Sequence, residues 1–441
     1  MKNFKYILYF TTFWDTAPNL PMGPTLFEQC PVTNCFITHN QHELPSISQF
    51  DAVIFHMVDI ELLEQEELPD QMHRNPKQRY VMLIAESPQH WKADFTRFNN
   101  FFNWTMTYRQ DSDIHYPFGW IVPKESNKSY LPTIDDIGAW DHWDTFDLGK
   151  FSLSMKQNPK YIQSSANRTQ GIAWIVSHCN SESDRERYVN ELRKYIDVDI
   201  FGKCGERLCS TKSSSNLTCN EIVEHNYMFY LAFENSFCDH YVTEKLFKWL
   251  KMDIVPVVMG QADYASITPP HSVIDAGSYP DPAHLASYLK KLMDNNTEYL
   301  SYFWWKEFYE VRSDLLPTYC KLCQMLNDPN QPQKIWHNLS EWWSMRGEHC
   351  KPKGSFPWSK YSSLAEGRLM DDVYIFAMLL IITLVLFILV SKSKGLKSGI
   401  LLLRVTFTIF VVFLLSMIST ASLEIPWNLH LIYTKFHFLW K

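Results

Sequence analysis

Short runs of β-branched and aromatic residues recur through the first third of the chain, separated by polar stretches long enough for helices. The runs cover residues 4–10, 32–38, 52–57, 80–85 and 104–108. Such runs are typical of the buried strands of a parallel sheet, whose crossover connections carry helices. The first third of the chain is therefore predicted to form a doubly wound α/β domain.

A second α/β unit is predicted further along the chain. Strands are expected at 171–176, 198–201, 228–233 and 254–259, with helices at 184–195 and 243–251. The intervening stretch is rich in Pro, Asn, Ser and acidic residues, which is typical of a connection. We predict an amino-terminal domain at 1–123, a linker at 124–170 and a second domain at 171–350. A ligand cleft is expected where the carboxyl ends of their strands face each other.

Two apolar segments near the carboxyl end are long enough to cross a membrane, at residues 373–390 and 400–418. Three lysines between them place the connecting loop in the cytosol and residues 1–370 in the lumen. A juxtamembrane linker is expected at 351–370 and an aromatic tail at 419–441. The first ten residues read as a strand, which leaves either a segment ahead of residue 1 or this helical hairpin as the membrane anchor.

Charge and cysteine content narrow the class of protein. The 441 residues carry a formal charge of −7 with both signs mixed along the chain, so nucleic acid is not an expected partner. Ten cysteines and six Asn-x-Ser/Thr sequons together indicate an oxidising lumen. The predicted glycosylation sites are Asn103, Asn127, Asn167, Asn216, Asn295 and Asn338.

Residues 227–260 carry the most specific chemical pattern. Asn235 and Tyr241 follow an apolar strand, and the helix after them begins with Glu244 and Lys245. A lysine at a helix amino terminus opposes the helix dipole, but it is favourable when a diphosphate binds to the free N–H groups there. Spacing alone also allows a solvated Lys245, with Glu244 only balancing the dipole.

This stretch resembles the donor-binding motif of the α1,3/α1,4-fucosyltransferases, which runs Phe-Glu-Asn-Ser, a short loop, Tyr-Val/Ile-Thr-Glu-Lys and a strand with Val-Pro-Val. Other segments resemble the same family, at 85–91, 102–119, 174–180 and 197–205. The resemblance implies a GT-B fold of two Rossmann-like domains. It places GDP-fucose on the carboxyl-terminal domain and the acceptor on the amino-terminal one.

The resemblance also implies a single in-line displacement with inversion. A carboxylate removes the acceptor proton, while cations and N–H groups stabilise the leaving diphosphate. By resemblance the base is Glu86, which follows the predicted strand 80–85, and Arg185 binds the diphosphate. Without the resemblance both would be read as surface residues. The family's other donor contacts correspond to Asn235, Tyr241, Glu244 and Lys245.

Two alternative functions remain open from the sequence. A metal-dependent transferase of another fold would use D-x-D carboxylates, which occur at Asp111-Ser112-Asp113 and Asp197-Val198-Asp199. A glycan-binding membrane protein could instead keep the fold without catalysis. The resemblance implies no metal site and no required cofactor, and it leaves a divalent cation only a stimulatory role.

The cysteines allow zinc or disulfides. Cys320 and Cys323 with His349 and Cys350 form an incomplete zinc pattern, and an oxidising lumen favours disulfides.

The pairing is predicted in part from the family. The resemblance implies that Cys30 and Cys35 bond with the Cys320/Cys323 pair. One local bridge is expected among Cys204, Cys209 and Cys219, and another between Cys179 and Cys238.

Together these patterns predict an inverting α1,3-fucosyltransferase of the Golgi membrane with its catalytic domain in the lumen. Its donor is GDP-β-L-fucose, and its acceptor is the 3-hydroxyl of N-acetylglucosamine in a glycoprotein glycan. Both the N-glycan core and an antenna are open as acceptors. Cys179, Cys204 and Cys238 resemble the core-modifying relatives more closely.

Overall fold

The computed structural model describes residues 4–355, apart from most of 61–73 and 126–169 and all of 93–94, 207–217 and 345–348. The described residues belong to one compact unit, Met1–Ser359. None of their helices combines the length and apolar character needed to cross a bilayer. The predicted transmembrane segments 373–390 and 400–418 and the tail lie outside the described residues.

The elements of the described residues alternate between strands and helices as predicted. The strands are β1 (Lys5–Tyr9), β2 (Cys35–Thr38), β3 (Ala52–His56), β4 (Arg79–Ile84), β5 (Trp104–Thr107), β6 (Ile114–His115), β7 (Trp120–Pro123), β8 (Gln170–Ile175), β9 (Val198–Phe201), β10 (Tyr227–Phe233), β11 (Val255–Met259), β12 (Ile274–Asp275) and β13 (Tyr309–Arg312). The α-helices are α1 (Met57–Ile60), α2 (Arg185–Leu192), α3 (Cys219–Asn226), α4 (Glu244–Lys251), α5 (Tyr264–Ile267), α6 (Pro282–Asp294), α7 (Asn296–Ser301), α8 (Leu316–Asn327) and α9 (Leu339–Ser344). Short 3-10 helices lie at Thr25–Phe27, Ile47–Gln49, Phe95–Phe98, Ala276–Ser278 and Trp304–Glu307.

Two parallel sheets form the framework. The first has the order β2-β1-β3-β4-β5-β6 and the second the order β12-β11-β10-β8-β9. The strand pairs within both sheets are parallel. The predicted pair of doubly wound sheets is therefore confirmed.

The first sheet is covered on both faces, which explains why its strands are continuous apolar runs. Along β1, Ile7 and Tyr9 enter one core cluster while Leu8 enters the other. Because side chains of a strand alternate between faces, both faces need apolar residues when both are buried.

The carboxyl-terminal part of the described chain returns to this first sheet. Tyr319 and Leu322 of α8 belong to the core on one face, and Leu339 and Trp343 of α9 to the core on the other. The last helices of the predicted second domain, 171–350, therefore pack on the first sheet.

An antiparallel ribbon of β7 and β13 marks the two crossings between the sheets. Tyr309 pairs with Pro123 and Arg312 with Trp120. The chain thus leaves the first sheet and re-enters it at adjacent positions.

The disulfides confirm one prediction and correct another. Cys30 bonds to Cys320 and Cys35 to Cys323, as the family resemblance implied. The expected Cys179–Cys238 bond is wrong, because the bonds found are Cys179–Cys204 and Cys238–Cys350.

The reason for the correction lies in the topology. Cys179 and Cys204 follow the neighbouring strands β8 and β9, so their loops are adjacent. Cys238 faces the returning segment instead, where the backbone N–H of Asp239 donates to the carbonyl of His349 over 2.8 Å. Cys219 is also disulfide-bonded, and Cys209 lies outside the described residues.

The predicted glycosylation sites differ in their surroundings. Asn103 is only 9% exposed, and its amide nitrogen donates to the carbonyl of Lys334 over 2.8 Å. This burial contradicts its prediction as an acceptor of a glycan. Asn295 and Asn338 are exposed, while Asn127, Asn167 and Asn216 lie outside the described residues.

Candidate active site

An open pocket of about 360 Å³ lies at the carboxyl ends of strands from both sheets. Glu86 follows β4 of the first sheet, whereas the other predicted residues lie on the second. Parallel strands bring their carboxyl-terminal loops to one edge of a sheet, which is where such sheets bind ligands. The predicted residues that line this pocket are Glu86, Arg185, Asn235, Glu244 and Lys245.

Tyr241 is placed differently from its prediction as a nucleotide contact. It is only 1% exposed, and its phenol donates a hydrogen bond of 3.1 Å to Glu86 Oε2. Its ring packs edge-on against Tyr108, with centroids 4.9 Å apart. Tyr241 therefore supports the carboxylate of Glu86 from behind the pocket.

Further contacts join the loop after β4 to the loop after β10. The buried hydroxyl of Ser87 donates to that of Ser236 over 2.6 Å. The side-chain oxygen of Gln89 accepts from the backbone N–H of Phe237 over 3.2 Å. The carboxylate of Glu86 is thus held at a fixed position relative to the donor-motif loop.

Lys245 lies at the start of α4 beside two carboxylates. Its ammonium is 3.2 Å from Glu234 and 3.4 Å from Glu244, and it donates to the Thr243 hydroxyl over 2.8 Å. Burial opposes the charge of Lys245, but the two carboxylates outweigh it, so the pKa of Lys245 is raised. The lysine is therefore an ammonium at neutral pH.

Glu234 holds this helix start in place. It is only 1% exposed and accepts hydrogen bonds from the backbone N–H and hydroxyl of Thr243, at 2.8 and 3.0 Å. Burial raises the pKa of Glu234, and the neighbouring Lys245 partly offsets that rise. Thr243 in turn caps α4, because its hydroxyl accepts from the backbone N–H of Lys245.

Asn235 presents an unpaired polar atom at the pocket. The residue is 8% exposed, and its side-chain oxygen is buried without a hydrogen-bond partner in the described part of the chain. Its backbone is fixed, since its carbonyl accepts from the N–H of Ser183 over 2.9 Å. Buried polar atoms usually have partners. A ligand with a hydrogen-bond donor would satisfy this oxygen.

Arg185 is held by the ends of two adjacent strands. It is 3% exposed, and its guanidinium donates to the carbonyls of Phe233 and His178 over 2.7 and 3.1 Å. Its Nε also lies 3.4 Å from Glu186. These contacts orient the planar cation at the wall of the pocket, where forked donors suit phosphate oxygens.

Several pocket residues were not singled out from the sequence. Lys248 adds a third cation near Arg185 and Lys245, and Tyr230 stacks on Trp249 with centroids 3.7 Å apart. In the sequence, Tyr230 belongs to a predicted buried strand and Trp249 to a predicted amphipathic helix. The spacing of these residues therefore did not indicate that they line a pocket.

His90 and His178 also line the pocket. Their rings meet edge to face with centroids 4.7 Å apart. Burial, together with the charges of His90 and Arg185, lowers the pKa of His178. His178 is therefore neutral at pH 7.

The D-x-D carboxylates have structural partners. Asp111 pairs with Arg109 over 2.6 Å, and Asp113 pairs with Lys334 over 2.7 Å. In β9, Asp199 accepts a hydrogen bond of 2.5 Å from the phenol of Tyr227. Neither triplet lines the pocket of Glu86.

The chain matches two family models. The model described as "Fucosyltransferase, N-terminal" matches residues 2–119, and "Glycosyltransferase family 10 (fucosyltransferase) C-term" matches residues 165–342.

Similar proteins cover most of the chain. It is 35% identical over 343 residues to alpha-(1,3)-fucosyltransferase C of Drosophila melanogaster, an alignment covering 75% of this chain and 73% of the relative. It is 32% identical over 327 residues to the 4-galactosyl-N-acetylglucosaminide 3-alpha-L-fucosyltransferase FUT6 of Homo sapiens, covering 73% of this chain and 79% of the relative. A crystal structure of an alpha1,3-fucosyltransferase with GDP-fucose matches with 14% identity and a TM-score of 0.40, covering 76% of this chain and 85% of that one.

Proposed function

Because this chain belongs to glycosyltransferase family 10 and is a fucosyltransferase, we propose that it transfers L-fucose from GDP-β-L-fucose to the 3-hydroxyl of N-acetylglucosamine in a glycan. The transfer inverts the configuration at the fucose anomeric carbon. The 3-hydroxyl is chosen because the similar proteins named above are called 3-alpha-fucosyltransferases.

One observation carries this proposal. The carboxylate of Glu86, from the first sheet, shares a pocket with the cations Arg185 and Lys245 of the second. A single displacement needs a base on the acceptor side and positive charge on the leaving-group side. The pocket supplies the base from the first sheet and the positive charge from the second.

In the proposed reaction Glu86 acts on the acceptor. Its carboxylate takes the proton of the acceptor hydroxyl as that oxygen bonds to the anomeric carbon of fucose. The bond from this carbon to the GDP oxygen breaks at the same time, and its electron pair leaves with GDP. The contact with Tyr241 keeps the carboxylate aimed at the pocket.

The other pocket residues act on the donor. Lys245, at the positive end of the α4 dipole, holds the diphosphate together with Arg185. Glu244, whose side chain is 60% exposed, accepts hydrogen bonds from the ribose hydroxyls. The unpaired oxygen of Asn235 accepts a hydrogen bond from the donor.

We further propose that the enzyme works in the Golgi lumen, anchored in the membrane, on glycoprotein glycans. The disulfides and exposed sequons support an oxidising compartment. We assign no required cofactor, and a divalent cation would act only as a stimulant.

The test is incubation of the purified protein with GDP-fucose and a panel of defined N-glycans, followed by linkage analysis. We expect α1,3-linked fucose on N-acetylglucosamine. Glu86→Gln should lose about 10²- to 10⁴-fold in turnover while still binding GDP. A protein that does not bind GDP, or a Glu86→Gln variant with wild-type turnover, contradicts the proposal.

A further inference from the structure

An exposed tryptophan lies on a tight turn that follows the first strand of the first sheet. Trp14 is 44% exposed, one of three large apolar side chains exposed among the described residues. A single exposed apolar side chain is common at a protein surface. Trp14 is unusual because of the way in which its turn is held.

The turn is held in an unfavourable backbone conformation. Phe13 and Thr16 exchange backbone hydrogen bonds of 2.8 and 3.2 Å across it. The two residues between them, Trp14 and Asp15, have φ angles of +53° and +56°. Two consecutive positive φ angles normally call for Asn-Gly, and bulky residues persist there only when the surroundings impose them.

A buried dyad imposes this conformation. The carboxylate of Asp59 accepts the backbone N–H groups of Trp14 and Asp15 over 3.0 and 2.9 Å. His56, fully buried, hydrogen-bonds to the same carboxylate through its Nδ1. The dyad thus fixes the backbone from which the indole of Trp14 projects.

The indole packs against the turn that follows Glu86. Strands β1, β3 and β4 are neighbours in the sheet, so the segments that follow them share one edge. The ring of Trp14 meets that of Trp91 edge to face at 6.3 Å, and Trp91 closes the turn after Glu86 by donating its backbone N–H to Ser87. His56, 5.7 Å from Trp14 between ring centroids, lies close enough to Glu86 to feel its charge.

From this arrangement we propose that Trp14, with Trp91, forms a platform that binds a pyranose ring of the acceptor glycan. The apolar C–H face of a sugar stacks on an indole, while its hydroxyls remain free for hydrogen bonds. The inference rests on the proposed function, because Trp91 lies in the turn that follows the proposed base and the platform belongs to the first sheet, whereas the proposed donor residues belong to the second. Trp14 acts as a positioning residue for the acceptor.

Kinetics on a glycan that the wild-type protein fucosylates provide the first test. Trp14→Ala should raise the KM for the glycan about 10-fold and leave the KM for GDP-fucose within about twofold. Trp14→Phe should recover most of the loss, since a flat ring remains. Tyr195→Ala is the matched control, because Tyr195 is 43% exposed and lies after α2 on the other sheet. A Trp14→Ala variant with an unchanged glycan KM overturns the platform.

A binding measurement separates this inference from the proposed reaction. Protein labelled with 5-fluorotryptophan gives a ¹⁹F resonance for Trp14, assigned by its loss in Trp14→Phe. We expect this resonance to shift when an N-acetylglucosamine-containing N-glycan is added without donor. A shift without fucose transfer supports the platform and contradicts the reaction. Transfer without a shift, or neither, overturns the platform.

Discussion

The phenol of Tyr241 donates a hydrogen bond of 3.1 Å to the carboxylate of Glu86. Tyr241 lies in the loop after β10 of the second sheet, and Glu86 lies in the loop after β4 of the first. The motif proposed to hold the nucleotide therefore has a second role. It also orients the side chain proposed to activate the acceptor, so the two halves of the pocket depend on each other.

Removing this hydrogen bond should slow turnover and spare donor binding. Tyr241→Phe keeps the buried ring but leaves Glu86 without its orienting donor, and small misplacements of a catalytic group cost large factors in rate. We expect kcat to fall about 10-fold with the Kd for GDP within about twofold. Steady-state kinetics and calorimetry would measure both.

A matched control is Tyr227→Phe. It removes another hydrogen bond from a buried tyrosine to a carboxylate, that of Asp199, at the opposite end of β10. Its kcat should stay at the wild-type value. Equal losses in both variants would mean that the effect of Tyr241 is general destabilisation.

Lys245→Met should weaken binding of GDP. The variant removes the ammonium at the start of α4, and loss of one partner of a largely desolvated charge pair costs about 2 kcal/mol or more, so the Kd should rise at least about 30-fold. The dependence of the Kd for GDP on ionic strength should also be weaker in the variant. Titration of GDP at two ionic strengths measures both. Lys251→Met, at the exposed far end of the same helix, should leave the Kd unchanged.

Breaking the Cys238–Cys350 bond should affect the donor site as well as stability. Its two cysteines are 112 residues apart, and a disulfide typically contributes about 2–4 kcal/mol of stability. Because Cys238 lies in the loop between Asn235 and Tyr241, the double Ser variant should also raise the KM for GDP-fucose. Denaturant unfolding and kinetics would show both effects.

The control is the double Ser variant of Cys35 and Cys323, whose separation is 288 residues. This bond lies at the amino-terminal start of β2, away from the pocket. Its loss should lower stability by a similar amount without changing the KM for GDP-fucose. A donor KM that rises equally in both variants would contradict a local role for Cys238.

His115 should make the protein less stable in mild acid. Burial lowers the pKa of His115 from its ordinary 6.5 to about 4. Between pH 6.5 and about 4 the imidazole of His115 is protonated in the unfolded chain but neutral in the folded protein. The free energy of unfolding therefore falls as the pH drops through this range. The loss is up to about 3 kcal/mol.

The variant His115→Gln tests this origin. Its amide can still donate to the carbonyl of Tyr108, which Nε2 of His115 contacts at 3.1 Å. Unfolding free energies of the variant should change less between pH 6.5 and 4. His284→Gln, an exposed histidine, should keep the wild-type profile; identical profiles for all three proteins would contradict the assignment.

Buried strands were predictable because their composition alone is informative. The runs that became β3 and β10 are buried at every position and are apolar or aromatic apart from His56 at the end of β3. The two-residue strands Ile114–His115 and Ile274–Asp275 have no pattern to detect. Helix α8 was missed because it is buried on several sides and has little polar face.

The residues that line the pocket were predictable as a set, but their contacts were not. The resemblance pointed to Glu86 and Lys245, which share the pocket. It also predicted a nucleotide contact for Tyr241, which is buried against Glu86, because sequence does not show which way a loop side chain points. Cys238 shows the same limit: its partner Cys350 lies far along the chain, and only the return of that segment to the first sheet brings them together.

Because the chain passes through the ribbon of β7 and β13 on its way out and on its return, the segment that carries the second sheet is an insertion within the domain of the first sheet. Its entrance and exit, at Pro123 and Tyr309, are paired neighbours. A segment whose two ends meet can be exchanged as a cassette with little strain on its host. The segment with the proposed donor site can thus be exchanged apart from the proposed acceptor side, provided that it keeps Tyr241 and Cys238, which contact Glu86 and Cys350.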